Sequence, residues 1–171
     1  MMILCFMMFI IFIYPINTEI NLSYLKPTTQ SSTFVLNQNK YSASLANDGN
    51  LFQNDFDFPN GSASCSSTEK SNSSHFWQVD LQSVSSVTRV TIYNQAKYLE
   101  DLRNFKVILQ NSSEVPTSLG VECCSFVKSV GLTVTCKCND TNARFVTILK
   151  YPGADYLDLC EVQVFGIPNN G

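Results

Sequence analysis

FWQVDL at residues 76–81 and VTRVTIYN at residues 87–94 decide the fold class. In the first, Trp77, Val79 and Leu81 alternate with Gln78 and Asp80, the period of a strand with one face buried. The second is β-branched and aromatic, a composition that suits a pleated, half-buried surface. Working outward, Phe105–Leu109 (FKVIL), Leu132–Cys136, Arg144–Leu149 (RFVTIL) and Glu161–Phe165 (EVQVF) repeat the pattern, separated by turn-rich gaps. No segment carries a sustained 3.6-residue apolar stripe with caps, so the reading is an all-β sandwich with at most a short helical turn near Ser44–Asn47.

The chain has 171 residues, 15% of them charged, with a net charge of -3, which disfavours a nucleic-acid partner because no basic surplus exists to neutralise phosphates. Residues 1–15, MMILCFMMFIIFIYP, are almost wholly apolar. That run is shorter than the roughly 20 residues of a membrane-spanning helix, and it reads as a signal-peptide core, giving a signal segment over residues 1–18. It lacks a Lys or Arg ahead of the apolar stretch. No second long apolar run follows, so no transmembrane segment is expected in residues 19–171, which read as a single domain with its core over about residues 21–166. Residues 60–74 (NGSASCSSTEKSNSS) read as a long loop within it.

Cysteines and sequons support an exported, extracellular protein. Cys5 lies in the signal segment; Cys65, Cys123, Cys124, Cys136, Cys138 and Cys160 remain, an even number suited to a disulfide framework. Zinc is the competing use of Cys123-Cys124 with Cys136-x-Cys138, but neither pair has the spacing tetrahedral sites favour and the sole His is distant in sequence. Glycosylation sequons occur at Asn21, Asn60, Asn72, Asn111 and Asn139.

Several strings, in order along nearly the whole mature chain, resemble the F-type (fucose-binding) lectins, a jelly-roll variant of the discoidin-like sandwich. They are the opening NLSYLKPTTQSS at 21–32, ANDGN at 46–50, Ser64-Cys65, FWQVDL at 76–81, VTRVTIYN at 87–94 and LCEVQVFG at 159–166. The resemblance implies a Cys65–Cys160 bridge, whose loop of about 95 residues would contribute up to roughly 4–5 kcal/mol in the chain-entropy model. Cys123, Cys124, Cys136 and Cys138 are left to form two bridges, with either pairing open.

The same resemblance implies a structural Ca²⁺ site. Its ligands would be the Leu45 carbonyl, Asp48, Asn50, Ser64, the Cys160 carbonyl and Glu161, an all-oxygen set of the kind Ca²⁺ takes. For fucose, the family uses one His and two Arg as hydrogen-bond donors. The matching positions here are Ser67, Gln95 and Asp101, with Lys97 where the motif has an Asp. All three ligands are replaced, and His75 lies out of register beside Phe76-Trp77. The expectation is a carbohydrate-binding module for glycans or glycoproteins other than free fucose, with Ser67, Gln95, Lys97 and Arg103 as candidate contacts. The alternative is a discoidin-type adhesion or matrix module using loop aromatics (Phe52, Phe56, Phe58, Tyr98). Nothing pairs the loop carboxylates Asp55, Asp57, Asp155 and Asp158 as acid and base, so no catalytic residue is expected. A homo-oligomer would add avidity.

Overall fold

The computed structural model describes residues 18–54, 63–115, 120–153 and 155–169. The signal segment up to residue 17, the sequon at Asn60, and Asp55, Phe56, Asp57 and Phe58 lie outside them. Eleven strands are described: β1 (Ile20–Asn21), β2 (Thr28–Gln30), β3 (Val35–Leu36), β4 (Asn39–Lys40), β5 (Ser66–Ser67), β6 (His75–Tyr93), β7 (Phe105–Gln110), β8 (Val121–Phe126), β9 (Thr133–Lys150), β10 (Asp158–Leu159) and β11 (Glu161–Pro168). Helical structure is confined to 3-10 turns at Ala43–Ala46, where a short turn was expected, and at Leu99–Asp101. Among the described residues no helix is long and apolar enough to cross a membrane.

The strands expected separately at 76–81 and 87–94 are one strand, β6, and those at 132–136 and 144–149 are one strand, β9. Both bend rather than end. Gln82 takes a positive φ where the β6–β9 register slips between Asp80 and Ser85. Asn139 and Asp140 do the same at the second slip. Asn and Asp tolerate that region better than most residues, and the kink re-aims the strand while its hydrogen bonding resumes beyond.

The bend divides the sheet into two layers. His75–Asp80 pairs with Phe145–Lys150, flanked by β2 on one side and β7 then β8 on the other. Ser85–Tyr93 pairs with Thr133–Ala143 and is flanked by β11 and β1. The inner faces share one core that includes Trp77, Val79, Val90, Ile92, Phe105, Val107, Val146, Ile148, Val162 and Val164. Trp77 is buried and its indole N–H donates to the Ala43 carbonyl at 2.9 Å, fixing the first 3-10 turn against the core. Gly166 sits at the β11 bulge, where an added Cβ would meet the Ser86 carbonyl oxygen at 2.1 Å.

Three disulfides brace the sandwich: Cys65–Cys160, Cys123–Cys138 and Cys124–Cys136. The first is the bridge the family resemblance implied; the others settle the open pairing. The sulfurs of Cys123, Cys124 and Cys136 lie within 4.8 Å of one another, but all three are consumed in these bridges, which removes the zinc reading. Adjacent residues on a regular strand point to opposite faces. Here Cys124 pairs with Val107 and Glu122 with Ile108, so Cys123 is the extra residue of a bulge, and both adjacent thiols reach β9. Among the described residues β8 pairs with β7 of the first layer alone, whereas Cys136 and Cys138 belong to the second. The two bridges therefore staple the open edge of the sandwich shut.

These loop lengths order the bridges. Cys65–Cys160 spans 95 residues and Cys124–Cys136 spans 12. Replacing the first pair by Ala is expected to lower unfolding free energy by about 1–2 kcal/mol more than replacing the second, on chain entropy. Denaturant titration of the two double variants measures the difference.

Candidate functional site

Two short stretches run side by side. In the antiparallel ladder of β5 and β10, Ser66 is opposite Leu159 and Ser67 opposite Asp158. The Cys65–Cys160 bridge closes one end of it, with Cα atoms 3.8 Å apart, tighter than the roughly 4.4–6.8 Å usual for disulfides. Past that bridge lie Ser64 and Glu161; at the other end lie Ser67 and Asp158. Each end adjoins a distinct candidate site.

At the first end, Glu161 is 0% exposed and its Oε1 has no hydrogen-bond partner among the described residues. Oε2 accepts from the Gly49 N–H at 3.3 Å. Gly49 lies in the Asp48-Gly49-Asn50 turn at φ 87°, with Tyr24 so close that a Cβ would come within 2.8 Å of its ring. Glycine meets both demands. Asp48 Oδ1 accepts from the Asn50 N–H at 2.8 Å, and Asn50 Oδ1 from the Phe52 N–H at 3.1 Å, so both side chains are folded back into the turn. Burial pushes the Glu161 carboxyl up to about 7; the Gly49 N–H opposes the shift and the charge of Asp48 adds to it. Burial also raises Asp48. The structure thus brings Asp48, Gly49 and Glu161 together, with Ser64 and Cys160 joined through the bridge. Leu45 stands in the 3-10 turn just before the loop.

A buried, half-satisfied carboxylate beside a second carboxylate is unfavourable without a cation. An oxygen-only donor set of carboxylates, amide, hydroxyl and carbonyls suits a hard divalent ion. The residues therefore fit Ca²⁺.

At the other end is a cavity of about 250 Å³ lined by Phe34, Leu36, Tyr41, Ser67, Gln95, Tyr98, Asp101, Tyr156 and Asp158. Ser67, Gln95 and Asp101, which match the His, Arg and Arg of the lectin motif, converge on this one cavity. Ser67 and Gln95 are buried. Ser67 Oγ donates to the Thr68 carbonyl, and Gln95 Oε1 accepts from the Tyr98 N–H at 2.9 Å. Two other candidates stand elsewhere. Lys97 is exposed, its ammonium 5.7 Å from the centre of the Tyr98 ring. Arg103 donates to Asp155 Oδ2 at 3.0 and 3.3 Å through two guanidinium nitrogens. Neither lines the cavity.

His75 is not the half-buried loop residue expected; it opens β6, buried, opposite Lys150. Burial lowers its pKa, and its Nε2 has no hydrogen-bond partner among the described residues. The buried Lys150 ammonium donates to the backbone carbonyls of Asp101 and Tyr156 and lies 3.9 Å from Asp155. Sequence reasoning missed this lysine because it ends a strand whose alternation points it inward, beneath the Leu99–Asp101 turn. It also missed Phe34, Tyr41 and Tyr156, whose rings meet edge to face or tilted at 5.3 and 5.6 Å between centroids. Their only sequence signal is aromatic character on loops far apart in the chain.

Of the sequons within the described residues, Asn72, Asn111 and Asn139 are exposed. Asn21 instead uses its amide oxygen on the N–H and hydroxyl of the fully buried Ser23 and on the Val164 N–H.

A pH dependence follows from Glu161. Its folded value of about 7 exceeds the ordinary 4.5, so the folded state holds this proton more tightly than the unfolded chain. Without divalent ions, stability is highest below about pH 4.5 as far as this group decides it, and is lost as pH rises through about 7. Glu161→Gln is expected to flatten that loss. Urea midpoints in EDTA, compared across that range for the two proteins, check it.

The model of the NedA-like, galactose-binding domain family matches residues 45–148. Fucolectin-3 of Anguilla japonica is 35% identical over 125 residues, covering 71% of this chain and 65% of its own. The chain thus spans somewhat less than two thirds of that relative. A fucolectin from striped bass (Morone saxatilis) serum superposes with a TM-score of 0.73 at 26% identity, over 86% of this chain and 47% of its own. A fucose-binding module of Streptococcus pneumoniae gives 0.70 at 30% identity, over 86% and 96%. These relatives are lectins and binding modules rather than enzymes, and the chain belongs to the NedA-like, galactose-binding family as an F-type-lectin, discoidin-like domain.

Proposed function

We propose that this domain is a secreted glycan-binding module that recognises a sugar other than free fucose in the Ser67–Gln95–Asp101 cavity and is braced by Ca²⁺ at Glu161. The observation that carries the reading is the convergence of those three motif positions on one cavity, in a fold whose relatives include fucolectins. At 250 Å³ the cavity lies below the roughly 300–1,000 Å³ of pockets for drug-sized ligands, which suits a single sugar ring.

The Ca²⁺ part rests on the orphaned Glu161 Oε1 and its neighbour Asp48. Asp48, Asn50, Ser64 and Glu161 would hold the ion, with the Leu45 and Cys160 carbonyls. When bound, the ion supplies positive charge to a buried acidic cluster and ties the Asp48 turn to β11. Glu161 must be deprotonated to serve, so stabilisation by the ion grows as pH rises through about 7. Millimolar Ca²⁺ is expected to raise the melting temperature of the wild type, because it binds the folded state, and not that of Glu161→Gln. Identical melting curves in EDTA and in Ca²⁺ would remove the ion from the reading.

Fucose recognition by this family's motif depends on donors, and here Asp101 is an acceptor only. A hydrogen bond to a charged donor is worth roughly 1.5–3 kcal/mol, so loss of two Arg removes about 3–6 kcal/mol. Millimolar to micromolar affinity is only about 4–8 kcal/mol in total. Calorimetric titration at saturating Ca²⁺ is expected to show L-fucose bound no tighter than about 1 mM, while a glycan array identifies other sugars. An array that stays blank both with and without Ca²⁺ would defeat the glycan reading.

A further inference from the structure

The residues that line the cavity come from two groups of segments, each with its own hydrogen bonds. The first group carries Phe34, Tyr41, Ser67, Tyr156 and Asp158. In it the Phe34 N–H donates to the Ser67 carbonyl at 3.0 Å and the Ser67 N–H to the Tyr41 carbonyl at 3.1 Å. The Thr68 N–H donates to the Leu157 carbonyl at 3.2 Å, and the Leu157 N–H to Thr68 Oγ1 at 2.9 Å. The second group is the turn that follows β6, with Gln95, Tyr98 and Asp101. The Asn94 amide and the Ser129 hydroxyl both donate to the Leu99 carbonyl, at 3.1 and 2.7 Å. The Asp101 N–H donates to the Tyr98 carbonyl at 2.9 Å.

Lys150 joins the two groups. Its ammonium donates to the Asp101 carbonyl of the second and, at 2.7 Å, to the Tyr156 carbonyl of the first. The residue ends β9 and pairs with His75 of β6 on one side and Phe105 of β7 on the other, so the lysine is rooted in the middle of the sheet. Its side chain is 1% exposed, and an ammonium held out of water is costly unless its donors are used. Burial lowers its pKa, and the carboxylates of Asp155, Asp101 and Asp158 oppose that shift. A second link, the ion pair of Arg103 with Asp155, runs between the same segments, but its arginine side chain is 43% exposed. Exposed pairs contribute little, which leaves the buried lysine as the stronger tie.

We propose that Lys150 is the positioning residue of the cavity: it fixes the turn that carries Asp101 against the segment that carries Tyr156, and so sets the width of the binding site. The inference rests on the glycan reading for what occupies the cavity. Lys150 is not part of the lining, so it acts on a sugar only through the two segments it holds. Walls fixed before the ligand arrives cost less to order on binding. One ammonium serving both carbonyls also makes the two segments open together.

The test combines native-state hydrogen exchange in low urea with calorimetric titration of D-galactose, D-mannose and N-acetyl-D-glucosamine in Ca²⁺. The reporters are the Arg103 N–H, which donates to the Asp101 carbonyl, and the Leu157 N–H, which donates to Thr68. In the wild type the two amides are expected to share one opening free energy. Lys150→Met keeps an apolar stem and removes the donors. It is expected to speed exchange at both amides while those at the centre of β6 and β9 stay unchanged, and to weaken any sugar the wild type binds by about tenfold or more, the scale on which losing a residue that holds a binding group in place acts. Lys150→Arg, which keeps charge and donors, is expected to restore part of that affinity, and Asp155→Asn to cost less than Lys150→Met. Faster exchange throughout β6 and β9 with a lower melting temperature would make Lys150 a general stability residue and overturn the inference, as would an Asp155→Asn loss equal to that of Lys150→Met. Should Lys150→Met fail to fold, the wild type decides alone, because separate opening free energies for the two amides would sink the proposal. A wild type that binds no sugar here or on the array would defeat the glycan reading, while the exchange data still show whether Lys150 joins the walls.

Discussion

Both candidate sites depend on the two-residue ladder between β5 and β10 and on the Cys65–Cys160 bridge that closes it. The ladder is too short to be stable alone. It persists because a covalent bond pins one end and because Leu157, Leu159 and Cys65 are buried. From this seam, Glu161 belongs to the carboxylate cluster, and residues 67 and 158 belong to the cavity. The two sites are neighbours along the same pair of strands. Any coupling between them needs no long pathway, only those few residues.

The layered β architecture was legible because its signal is local and repeated. Trp77, Val79, Val90, Ile92, Phe105, Val107 and Ile148 alternate in the sequence as they do in the core. The continuity of β6 and β9 was not legible. Gln82-Ser83-Val84 and Asn139-Asp140 carry the same residues that end strands, and only long-range pairing across the kink shows that the chain bends instead. Propensity describes what a residue tolerates; the partner strand decides which tolerated conformation is used.

The sites divide in the same way. Asp48, Gly49 and Glu161 could be placed together through the family resemblance, because each belongs to a compact string that carries it. The cavity could be placed only in part. Ser67, Gln95 and Asp101 follow from motif register, whereas Phe34, Tyr41 and Tyr156 come from separate segments that no spacing links. Lys97 and Arg103 seemed suitable donors on residue type alone. In the fold each is bound to a nearer neighbour, the Tyr98 ring for one and the Asp155 carboxylate for the other. Residue type establishes what a side chain can do, but competition among neighbours decides whether it is available.

The bulge at Cys123 carries a consequence for biosynthesis. Both thiols of the Cys123-Cys124 pair face β9 only after β8 has docked on β7 with that extra residue in place. Before then, Cys123 and Cys124 are near-equivalent nucleophiles competing for the same two partners. A crossed pair, once formed, is resolved only by thiolate exchange. Native oxidation of this edge is thus a late event that reports sheet register. A folding compartment that catalyses disulfide exchange is expected to raise the yield of this domain more than one that merely supplies oxidant.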